Sequence, residues 1–161
     1  MIGEMSETND FVEPNMSYVS TYQSGIAQAT AHRVINRTVS EYLVRYDLTA
    51  MQWFIIGYIN DGGERGITLT ELAHAIGTTL PYTTNTINLL ESKGIINKRS
   101  LETDNRTKLV TLNPSYKEMV DEIEAGLRDE LRDTLYSTDH ISREELQTYI
   151  TVLYKIAGNA L

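Results

Sequence analysis

Apolar positions between residues 67 and 112 recur first at helical and then at strand spacing. Leu69, Leu72, Ala73 and Ile76 share one helical face behind Thr68, and Glu71 completes a capping box with that threonine. Gly77 predicts the end of this helix, because a residue without a Cβ turns left-handed at no steric cost. Thr79 caps a second helix with Pro81 in its first turn, running to about Lys93 and stopping at Gly94. On it, Thr83, Thr86, Ile87 and Leu90 face inward, while Pro81, Tyr82, Asn85, Asn88 and Leu89 face out, with Thr84 at the flank. Beyond Gly94 the period shortens to two. Ile95, Ile96, Lys98 and Arg99 lead into a polar turn over residues 101–106, and residues 108–112 return with Val110 and Leu112 on one face.

Two helices joined by so few residues cross, and a two-stranded hairpin after them makes a winged helix. Its flanks are helical. Residues 1–14 hold Glu4, Glu7, Asp10 and Glu13 with no basic residue, which predicts a disordered acidic arm. One long helix is expected over residues 15–46. Tyr18, Tyr22, Ile26 and Ala29 share one side early, and Ile35, Val39, Tyr42 and Tyr46 another side later. Such a switch indicates two packing partners, a second subunit and then the chain's own winged helix; a single irregular core face is the plainer alternative. Asp47 and Leu48 break the helix, and Thr49 with Gln52 caps a nearly all-round apolar one that should be deeply buried.

After the hairpin, Asn113 and Pro114 open a helix with Tyr116, Met119, Val120, Ile123, Leu127 and Leu131 in a stripe. Its acids, Glu118, Asp121, Glu122, Glu124 and Asp129, read as a solvated face. Ser142 and Glu145 cap a last helix with Leu146, Tyr149, Ile150, Leu153 and Ile156 along one side, a natural dimerisation element. The predicted fold is mainly α with a small β-hairpin wing, a winged helix-turn-helix at 47–113 between dimerisation helices at 15–46 and 114–161.

Composition narrows the chemistry. Hydrophobic residues make up 41% of the 161, enough for a core. There is no cysteine, which removes disulfides and thiolate chemistry. His32, His74 and His140 lack zinc-site spacing, and no phosphate-binding glycine loop occurs, so an enzyme, a metal site and a cofactor are not expected. No apolar run is long enough to span a bilayer and no secretion signal is visible, so the expected location is cytoplasmic, with no membrane partner. The net charge is −8, yet Lys93, Lys98, Arg99, Arg106 and Lys108 against Glu91, Glu102 and Asp104 give residues 80–113 a charge of +2, leaving −10 elsewhere. A mildly basic head on an acidic body suits a salt-sensitive interaction with phosphate.

Leu48-Thr49, Gln52-Trp53, residues 69–76, residues 79–94 and Asp104-Asn105-Arg106 with the strand ending at Asn113 together resemble the multiple-antibiotic-resistance regulator (MarR) family of bacterial transcription factors. The resemblance implies a homodimer on double-stranded DNA. It places Thr79, Leu80, Pro81, Tyr82, Thr84, Asn85 and Asn88 in a major groove and Asp104, Asn105, Arg106 and Lys108 on a wing, with Arg106 entering a minor groove. Asp104 is expected to hold the Arg106 guanidinium; a local surface salt bridge is the alternative. Lys98 and Arg99 are further candidates for phosphate contact. The family commonly carries arginines where this chain has Leu80, Asn85 and Leu89.

Release by a small aromatic effector is a further implication, with His32, Tyr42, Trp53 and Phe54 as its pocket or, alternatively, as plain structural side chains. Function is accordingly expected to be that of a dimeric transcriptional regulator, a repressor on a pseudo-palindromic operator. The lost arginines and the acidic total leave a second expectation, a winged-helix protein-interaction module that does not bind DNA.

Overall fold

Capping chemistry sets where the helices begin. In the computed structural model, which describes residues 15–160, the Gln52 amide donates to the Thr49 hydroxyl while the Thr49 amide donates to the Gln52 side chain. The same exchange forms between Thr68 and Glu71 and between Ser142 and Glu145, so each helix starts with two otherwise orphaned donors satisfied. The expected acidic arm at 1–14 lies outside the described residues.

The elements are α1 (Thr21–Leu43), α2 (Ala50–Asp61), β1 (Ile67–Thr68), α3 (Leu69–Ala75), α4 (Leu80–Ser92), β2 (Ile96–Leu101), β3 (Asp104–Leu112), α5 (Lys117–Thr134) and α6 (Arg143–Ala160). The single helix expected over 15–46 is instead a 3₁₀ turn at Met16–Tyr18, then α1, then a 3₁₀ turn at Val44–Tyr46. Val19 is extended, and Ser20 and Gln23 exchange hydrogen bonds that start α1. That Ser-x-x-Gln signature is a helix start hidden inside an apolar pattern. Asp47 then turns left-handed at φ 54°, and the Lys93 ammonium binds its carbonyl at 2.7 Å and its carboxylate at 2.8 Å. This clamp joins the connection after α1 to the end of α4.

The described residues fall into two compact units, divided between Val34 and Ile35. In the first, Tyr18, Tyr22 and Ile26 are exposed. In the second, Val39, Tyr42 and Leu43 at the end of α1 join one hydrophobic core with α2, α3, α4, the sheet and α5. Ile55, Ile56 and Ile59 are completely buried there. Phe54 and Tyr58 are not: α2 has an exposed side, which corrects the expectation of all-round burial. Those two residues are four apart and point the same way, opposite the isoleucines.

The sheet has three strands, ordered β1-β3-β2, rather than the two expected. β1 pairs Ile67 with Val110 and Thr68 with Leu109; two residues are too few to show a period in sequence. Gly66 makes this pairing feasible. Its φ is +77°, and a Cβ there would meet Thr111, the Val110 carbonyl and Leu109 at 3.1–3.3 Å.

Asn113 caps a 3₁₀ turn, Pro114–Tyr116, before α5. Val120, Ile123 and Leu127 are buried on α5, whereas Met119 turns outward. Gly126 leaves room for the Tyr42 hydroxyl, which a Cβ would overlap. On α6, Leu146 is half-buried, while Tyr149, Ile150, Leu153 and Ile156 remain exposed along their stripe. No described helix is long and apolar enough to cross a membrane.

Candidate nucleic-acid interface

Helix α4 is fixed from beneath. The Thr79 hydroxyl accepts from the Tyr82 amide at 3.3 Å, and the buried Thr83 hydroxyl donates to the Thr79 carbonyl at 3.0 Å. Thr86, Ile87 and Leu90 complete the buried face. The opposite face presents Leu80, Pro81, Tyr82, Asn85, Asn88 and Leu89, all exposed, with Thr84 half-buried between the two. No residue from Leu80 through Leu90 is charged. The outward face of α4 from Leu80 to Leu89 therefore offers amide, hydroxyl and apolar chemistry above a packed base.

The wing is built differently. Ser100 pairs with Lys108, but the next pair is Leu101 with Asp104. Asn105, Arg106 and Thr107 thus have no partner on β2 and bulge out of the ladder. Asp104 organises the bulge: one carboxylate oxygen accepts from the Arg106 amide at 2.9 Å, the other from the Thr107 hydroxyl at 2.8 Å. These two bonds, the amide first, hold its carboxyl below the usual range. Asp104 consequently grips the backbone of the arginine, not the guanidinium as the sequence suggested. Among the described residues no side chain binds the Arg106 guanidinium, and Arg106 is exposed.

The remaining cations are engaged. Lys98 donates to the Asn88 amide oxygen at 2.6 Å and pairs with Glu91 at 3.0 Å. Arg99 donates to the Glu64 and Arg65 carbonyls at 3.0 and 3.1 Å, tying β2 to the turn before β1. Lys108 donates across the strands to Ser100 at 2.6 Å. Nothing in the sequence marks these partners, since each depends on strand register or on contacts across the fold.

The four residues expected around an effector divide between the two units. His32 is exposed in the first unit. In the second, Tyr42 and Trp53 are buried core side chains, whereas Phe54 is exposed. Tyr42 is enclosed: the Arg45 guanidinium lies 4.3 Å from its ring centroid, and the Tyr46 ring lies 5.9 Å away. The Tyr46 hydroxyl donates to Glu122 at 3.2 Å. Its pKa is pushed up to about 12 by the Tyr42 hydroxyl first, then by burial and by Glu122.

The MarR family model matches residues 46–107, which take in α2 through most of the wing. Among solved structures, the S. aureus MepR–DNA complex is 26% identical over 88% of this chain and 99% of that one, with a TM-score of 0.70. A mutant of E. coli MarR complexed with operator DNA is 22% identical over 86% and 99% of the two chains, with a TM-score of 0.71. CouR from Rhodococcus jostii, bound to p-coumaroyl-CoA, has the same fold at 16% identity, covering 83% and 91%, with a TM-score of 0.72.

Proposed function

We propose that the chain, whose residues 46–107 match the MarR family model, is a dimeric, sequence-specific DNA-binding transcriptional regulator of the cytoplasm, acting as a repressor. The observation that carries this reading is the exposed, rigidly backed face of α4 together with the uncommitted Arg106 on the wing bulge. The first suits a major groove and the second a minor groove. The apolar stripe of α6 and the exposed Tyr18, Tyr22 and Ile26 support pairing with a second copy. A symmetric dimer then meets two half-sites about 10 base pairs apart. Release by a small aromatic molecule belongs to the same proposal, with the exposed Phe54 on α2 as its contact.

The absence of charge from Leu80 through Leu90 favours one competing reading, an interaction module that has lost DNA. Gel shift on the duplex flanking the chain's own gene, over a series of salt concentrations, separates the two. A dimer whose affinity falls steeply with salt supports the regulator. A monomer, or no shift of any duplex at low salt, contradicts it.

A further inference from the structure

We propose that α4 reads A·T base pairs through the major groove, so that the core of each half-site is free of essential G·C pairs. The inference rests on the DNA-binding reading and specifies its substrate. Guanine is read in the major groove chiefly by arginine or lysine on its O6 and N7. Residues 80–90 contain neither. The two lysines that border the helix face are held by carboxylates: Lys93 by Asp47 at 2.8 Å, and Lys98 by Glu91 at 3.0 Å. Neither is free to lean over the first turns of α4 and supply the missing charge.

What the face offers instead matches the A·T edge. Asn85 is exposed, and among the described residues nothing binds its amide, so its oxygen and nitrogen are both available for adenine N6 and N7. Asn88 differs, because its oxygen already accepts from Lys98 at 2.6 Å. The Thr84 hydroxyl donates to the Leu80 carbonyl at 2.9 Å, which leaves that threonine's methyl, with Leu80 and Pro81, as apolar surface for the thymine methyl. Asn85 is the specificity-determining residue of this set, and Lys98 is a positioning residue for Asn88.

The test takes the preferred duplex selected by the full-length protein from a randomised pool and replaces half-site A·T pairs one at a time. Replacement is by G·C and by inosine·C, which resembles G·C in the major groove but A·T in the minor groove. At the pairs read by α4, both replacements should weaken binding equally, by about 10-fold each, and Asn85→Ala should remove that discrimination at one position. If inosine·C is tolerated like A·T throughout, the preference arises in the minor groove and the inference fails. If the selected half-sites require G·C pairs under α4, it fails while DNA binding stands. If no duplex is selected at all, the DNA-binding reading itself fails.

Discussion

Helix α4 and the wing reach outward from one core, but they are opposite kinds of surface. α4 has four buried residues on its inner face and no charged residue from Leu80 through Leu90. The wing tip has no buried residue, three unpaired positions and an exposed arginine whose guanidinium is uncommitted among the described residues. One is anchored and selective in what it can bond; the other is exposed and selective only for negative charge. The contrast teaches that a single cation count conceals the working distribution. A head of net charge +2 has its lysines on the α4 side held by carboxylates and its uncommitted guanidinium on the wing. Base discrimination should therefore reside in α4, and salt dependence disproportionately in Arg106.

The comparison breaks most severely if the support beneath α4 is removed. Ile87→Ala should cost about 2–5 kcal/mol of stability by leaving a cavity in the core, read as a lower urea midpoint, and DNA binding should be lost with the fold. A stability loss below 1 kcal/mol would mean that the helix does not depend on this packing. On the outward side, Asn85→Ala should leave the urea midpoint unchanged and cost about 1–3 kcal/mol against the adenine-containing site. An unaltered profile across single-base variants would remove Asn85 from the reading surface.

Arg106→Ala should weaken binding to all sequences alike and reduce the slope of log K against log salt by about 1. Thermal unfolding should hardly change, because its guanidinium has no hydrogen-bond or ion-pair partner among the described residues. The smallest effect concerns Asp104. Its folded-state pKa is depressed, so the bulge's carboxylate bonds are fully formed above the unfolded value of about 3.9 and are lost as pH falls through the folded value. The Arg106 amide resonance should stay constant from pH 7 to about 4 and move only in more acidic solution. Movement centred near pH 5 or above would show that the carboxylate is not held as the geometry requires.

Much of this was legible in the chain. The inward and outward residues of α4 follow from a 3.6-residue period on a helix with a well-marked start, and all nine fully assigned positions fall on the faces that period gives them. The capping boxes at Thr49, Thr68 and Ser142 are local, so four residues suffice to specify each. The wing was legible as a hairpin but not as a bulge, since the register between β2 and β3 is a property of the pair. β1 escaped for the same reason, being two residues stabilised by a strand some forty positions away. Which cations are engaged could not be read either: Lys93 reaches Asp47 across 46 positions, and Arg99 reaches Glu64 across 35. The effector set at His32, Tyr42, Trp53 and Phe54 follows from the family resemblance, which does not say that Tyr42 and Trp53 are buried and Phe54 exposed.

One measurement addresses the division of labour directly: operator affinity over a salt series, on matched and single-base-variant duplexes, for the wild type, Asn85→Ala and Arg106→Ala. Asn85→Ala should flatten base discrimination at one position and keep the wild-type salt slope, while Arg106→Ala should keep the discrimination and lose about one unit of slope. If both substitutions change slope and discrimination together, or if neither changes either, α4 and the wing do not divide recognition in this way.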